Sequence, residues 1–119
     1  MLVMEPIPYL YKESYVGNDT LLEFRLTSGG FQRDVSTGYT FVLNYEVDVL
    51  GTVKTPISCS SSETNAVWAS GIVTVRLPES ATVDPVRYNV CLTSTLAGKK
   101  RTEATGVVLV LHQPGVADA

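Results

Sequence analysis

The sequence predicts an all-β fold, a two-sheet antiparallel sandwich of about seven strands, and three observations lead to it. Apolar and polar residues alternate along most of the chain, turns rich in Gly, Pro and Ser divide the alternating runs, and no segment shows a helical period.

At the N-terminus, residues 1–8 read as an extended arm, because Pro6 and Pro8 fix φ and preset an open backbone. Tyr9, Tyr11 and Tyr15 follow at odd positions and project to one side if 9–16 is extended, whether as the first strand or as a continuation of the arm. From Thr20 to Thr27, Leu22, Phe24 and Leu26 share one face while Glu23 and Arg25 take the other, and Ser28-Gly29-Gly30 ends the strand. The run from Tyr39 to Val49 is the clearest strand. Tyr39, Phe41, Leu43, Tyr45, Val47 and Val49 line one side, and Asn44, Glu46 and Asp48 the other.

Leu50-Gly51 reverses the chain into a returning strand at Thr52–Thr55, which Pro56 confines to a sheet edge. Ser58 to Asn65 is a polar loop. Gly71 to Leu77 sends Val73, Val75 and Leu77 inward, and Pro78 to Pro85 is a connection. Val86 to Thr93 places Val86, Tyr88, Val90 and Leu92 inside. Leu96 to Lys100 turns the chain, and Arg101 to Leu111 runs back as the last strand. Strands spaced about ten residues apart in this way are the signature of an immunoglobulin-like sandwich. The reading is one domain over 1–119, with its core at about 9–112 and arms at 1–8 and 113–119.

Composition narrows the function. A net charge of −3 argues against nucleic acid as a partner, since phosphate binding needs clustered cations. The one basic run, Lys99-Lys100-Arg101, reads as a solvated turn or as a contact to an acidic partner. No apolar stretch is long enough to span a bilayer, and the first residues lack the basic and apolar regions of a secretory signal, so synthesis in a cytosol and no membrane contact are expected. Cys59 and Cys91 are then expected as free thiols. An apolar fraction of 45% with only 18% charged residues leaves apolar surface for an interface.

No residue set for chemistry emerges. His112, alone of its kind, reads as a strand-end residue, because triads and His-ligated metals need further partners. Glu46 and Asp48, at i and i+2 of a strand, could serve acid–base work or a cation, but read as its solvent face. Cys91 has nothing near it in sequence to lower its pKa. The expectation is no catalytic residue, no cofactor and no metal. Trp68 reads either as a core anchor or as an interface anchor, and Tyr9, Tyr11 and Tyr15, with Pro6 and Pro8, as interface candidates.

Two halves of the chain resemble the N-terminal domain of tailed-phage baseplate upper proteins. The first runs Gly17-Asn18-Asp19-Thr20 into Leu22-Glu23-Phe24-Arg25-Leu26, then Gly29-Gly30, the corner Val35-Ser36-Thr37-Gly38 and the strand Tyr39-Thr40-Phe41-Val42-Leu43. The second comprises the Gly-led strand Gly71 to Leu77, then Val86-Arg87-Tyr88-Asn89-Val90, then Thr105-Gly106-Val107-Val108-Leu109-Val110. The likeness spans about Gly17 to Leu111 and consists of turn and alternation patterns. It departs from that family at the corner, which lacks the usual Leu, and at Arg87, where Gly is common. What it implies is an immunoglobulin-like virion protein, located in the virion, that docks on other virion proteins and forms a homo-oligomer or multi-copy assembly. Those neighbours are tail or baseplate proteins, or the major capsid protein if this is a capsid decoration protein. Outside virions, a ligand-binding or adhesion module is the alternative.

Overall fold

The computed structural model describes residues 8–28, 31–48, 51–59, 68 and 71–112. Its strands are β1 (Tyr9–Tyr15), β2 (Leu21–Arg25), β3 (Thr27–Ser28), β4 (Phe31–Gln32), β5 (Tyr39–Val47), β6 (Ile57–Ser58), β7 (Ile72–Arg76), β8 (Val86–Leu96) and β9 (Lys99–Leu111). The fold is the expected all-β sandwich. Among the described residues nine strands stand where about seven were expected, because β3 and β4 are two-residue pieces too short to show alternation. The arms 1–7 and 113–119, Pro6 and Val49 lie outside the described residues.

One layer is a five-stranded sheet in the order β1-β9-β8-β5-β6, and the other is built on the β2–β7 pair, beside the small β3–β4 hairpin. Between them sit Leu22, Phe24, Leu26, Phe41, Leu43, Tyr45, Val73, Val75, Leu77, Tyr88, Val90 and Leu92, all turned inward by alternation, while Tyr39, Val47 and Val86, expected on the same side, are partly buried against that core. The aromatic members interlock: Phe41 meets Trp68 edge-on at 5.0 Å between centroids, and Tyr45 meets Tyr88 likewise at 5.2 Å. The Tyr88 hydroxyl donates to the Ala81 carbonyl at 2.7 Å. That bond ties β8 to the 3-10 turn Glu79–Ala81 before it, as the tyrosine corner does in immunoglobulin-like sandwiches.

Four local features depart from the sequence reading. The sandwich is not wholly antiparallel: β1 runs parallel to β9, from Tyr9 opposite Thr105 to Tyr15 opposite Leu111. After β1 the chain crosses to the other layer, so the edge beside β9 is filled by a strand running the same way. This close pairing needs Gly106, since a Cβ there would stand 2.2 Å from the Leu10 carbonyl oxygen. Second, the turn between β8 and β9 takes only Ala97 and Gly98, both at positive φ (51° and 78°), so Lys99 and Lys100 belong to β9.

Third, the segment returning along β5 is not a continuous strand. It touches β5 at Val53–Glu46 and again at Ile57–Leu43, spanning four residues against three. Pro56, with no N–H to donate, sits in that slip. Fourth, β9 carries a bulge: Leu92 pairs with Ala104 but Thr93 with Thr102, which leaves Glu103 as the extra residue and turns it inward.

Both cysteines are free. Cys59 donates its N–H to the Phe41 carbonyl at 2.9 Å and joins the core side, whereas Cys91 pairs with Asn44 on the opposite face of the sheet. Side chains on opposite faces point apart, which rules out a bridge.

Candidate functional site

The surface most unlike a solvated one is the outer face of β1 and β9. Alternation along β1 turns Tyr9, Tyr11 and Tyr15 outward at 66%, 56% and 42% exposure, while Ser14 turns inward and shares a hydrogen bond with the Thr20 hydroxyl. Their register partners on β9 are Thr105, Val107 and Leu111, with Leu109 between the last two beside Glu13. Val107, between Tyr11 and Asn89, is buried, and Leu109 and Leu111 are half-buried. Three rings therefore stand beside an aliphatic stripe on one sheet edge. The Tyr11 hydroxyl donates to Glu13 Oε1 at 2.9 Å, a bond that raises its pKa above the ordinary tyrosine value and holds the ring in place.

Pro8 is exposed and its carbonyl accepts the Thr105 N–H at 3.0 Å, so the ladder begins one residue ahead of β1. Of the two readings offered for Trp68, core anchor or interface anchor, the structure shows the core position. It is buried in the core against Phe41, and its indole N–H meets no acceptor among the described residues. A large ring at a core position gains more from burial than a surface position offers, and an isolated Trp in a sequence carries no mark of which it is. Phe31 and Val53, not singled out in the sequence reading, are the most exposed apolar side chains described, at 78% and 73%. Short irregular pairing places both, and it leaves no periodic signal.

The two ends of the sandwich differ in charge. At the β8–β9 hairpin, Arg33 joins Lys99, Lys100 and Arg101 around a hollow of about 340 Å3 that Tyr39, Ser94 and Leu96 complete. The bulge makes this possible: Glu103, almost wholly buried, receives Arg33 and also Arg101 at 3.1 Å, while the Arg33 guanidinium lies 5.6 Å from the Tyr39 ring centroid. The basic run is visible in the sequence, but nothing there joins it to Arg33. At the other end, Val16, Asp19, Leu77, Glu79 and Val83 line a groove of about 800 Å3, with Asp19 paired to Arg76.

Groups that could do chemistry are dispersed. Asp48 is exposed, accepts from Asn89 at 2.7 Å and pairs with Arg87 at 3.3 Å, as a solvent-face carboxylate does. Glu46 lies on the same outer face, opposite Asn89. Among the described residues no group of three His, Cys, Asp or Glu side chains could hold a metal ion. Burial pushes the Cys59 thiol up to about 12, away from the thiolate that a nucleophile needs.

No protein-family model and no curated protein matches the chain. Among solved structures it is similar to the N-terminal domain of phage TP901-1 ORF48, at 10% identity over 92% of this chain and 90% of that one, with a TM-score of 0.48.

Proposed function

We propose that this chain is a non-enzymatic structural protein of a phage virion, an immunoglobulin-like docking module of the tail or baseplate held to neighbouring virion proteins by the outer face of β1. The observation that carries the reading is the row Tyr9, Tyr11, Tyr15 beside Val107, Leu109 and Leu111. Tyrosines bury large area at little rotamer cost and are enriched where proteins meet, and a lone domain gains nothing by exposing three of them together. The turn and strand motifs that resemble baseplate upper proteins supply the virion context. The dispersal of His, Cys and carboxylate groups agrees with a role in assembly.

The test is to replace Tyr9, Tyr11 and Tyr15 together by Ser in the phage gene. All three are exposed, so the purified domain should keep its melting temperature, while its copy number in purified particles should fall at least about tenfold. Full occupancy would refute the docking face. Absence of the wild-type protein from particles would refute the virion role itself, and immunogold label on heads in place of tails would assign it to capsid decoration.

A further inference from the structure

The fold separates charge along the strand axis. The basic end carries Arg33, Lys99, Lys100 and Arg101 against Glu103 and Asp34, four positive and two negative, or +2. The opposite end carries Asp19, Asp48, Glu79 and Asp84 against Arg76 and Arg87, four negative and two positive, or −2. Between them lies the length of β8, eleven residues or about 35 Å of extended chain. At each end the arginines are taken up in ion pairs: Arg33 and Arg101 on Glu103, Arg76 on Asp19, Arg87 on Asp48. The groups outside those pairs are Lys99, Lys100 and Asp34 at one end, the last of them hydrogen-bonded to Ser36, and Glu79 and Asp84 at the other; none of the five has an ion-pair partner among the described residues.

The shapes match the charges. Lys99 and Lys100 follow directly on a two-residue turn, so they stand at the tip of a tight hairpin. The acidic end is concave, its groove lined by Val16, Leu77 and Val83 together with Asp19 and Glu79. A lysine stem lies well on aliphatic side chains while its ammonium reaches a carboxylate. The hairpin also leaves Leu96 exposed, and the groove leaves Val83 exposed, so apolar area is available on both sides of such a contact.

We infer that copies of this chain associate head to tail, the Lys99-Lys100 hairpin of one seated in the Asp19–Val83 groove of the next. The contact is heterologous: each copy uses two different patches, so it propagates into a ring or a stack and cannot end at a symmetric dimer. It uses neither Tyr9, Tyr11 nor Tyr15, and so stands apart from the docking face proposed above. Each copy would keep its tyrosine face free for a different partner.

Sedimentation velocity on the purified chain tests this. The wild type should show a sedimentation coefficient that rises with protein concentration at about 20 mM salt and loses that rise at about 500 mM, because exposed charges are screened within a few ångströms there. Reversing the tip (Lys99→Glu with Lys100→Glu) or the groove end (Glu79→Lys with Asp84→Lys) should each weaken self-association at least about tenfold, since like charges then face each other. Mixing the two variants should restore association, because each now presents the end that the other lacks. All four side chains are on the surface, and circular dichroism will show that both variants fold. A wild type that stays monomeric at low salt would overturn the inference. So would a tip reversal without effect, a groove reversal without effect (the hairpin then serves a different partner), or a mixture that fails to recover.

Discussion

Replacing Gly106 by Ala should loosen β1, the strand that bears the tyrosines, more than any other part of the fold. The alanine methyl would stand 2.2 Å from the Leu10 carbonyl oxygen, 2.8 Å from Leu10 Cβ and 2.9 Å from the Leu10 carbonyl carbon, where ordinary contact begins at 3.4 Å. The obstacle is backbone, which cannot swing aside as a flexible side chain can. Relieving the worst contact takes a shift of 1.2 Å, the difference between 3.4 and 2.2 Å. Ladder bonds near 2.9 Å would then stretch to about 4 Å and cease to count. Losing the two nearest bonds at about 0.5–1.5 kcal/mol each, together with overpacking strain of about 1–3 kcal/mol, puts the cost at about 2–6 kcal/mol. That is a large share of the 5–15 kcal/mol that a domain of this kind has to lose. Urea denaturation gives the total, and hydrogen exchange read by mass spectrometry gives its location. Amides of Tyr9–Tyr15 should lose protection while those of β5 and β8 keep theirs under native conditions. If the variant unfolds at the wild-type midpoint with β1 equally protected, the close parallel pairing of β1 and β9 is wrong.

Three further outcomes follow from the same structure. Phe41 is 1% exposed and touches both Tyr39 and Trp68, so Phe41→Ala should cost about 3–5 kcal/mol, read as a lower urea midpoint; an unchanged midpoint would put the β5 register in error. Ala97 holds φ at 51°, a conformation that costs an alanine about 1 kcal/mol and a glycine little, so Ala97→Gly should raise the melting temperature, and a drop would contradict the two-residue turn. Burial raises the Cys59 thiol from 9.0 to about 12, so the folded state keeps a proton that the unfolded state gives up. Its contribution to stability is complete below about pH 9 and is lost as the pH climbs toward 12. Urea midpoints across that window should fall less steeply in Cys59→Ala than in the wild type. Tyr45 and Tyr88, also raised by burial, decline in both proteins, and equal slopes would remove Cys59 from the account.

By itself the sequence determined which residues face inward and where the chain turns. Alternation is a local property: once Phe24 is inside, Glu23 and Arg25 must be outside, whatever strand lies next to them. For that reason the core from Leu22 to Leu92 was legible, as was the placing of Tyr9, Tyr11 and Tyr15 on one side. Partners were not. That β1 lies parallel beside β9, that Trp68 leaves the surface to meet Phe41, and that Arg33 crosses seventy positions to Glu103 are contacts between segments remote in sequence. The bulge at Glu103 shows the limit most clearly. One extra residue reverses the parity of β9 beyond it, so side chains that strict alternation sends to one face emerge on the other. Alternation records the pleat of a strand, whereas pairing depends on how two sheets close over one core, and only the tertiary structure decides that.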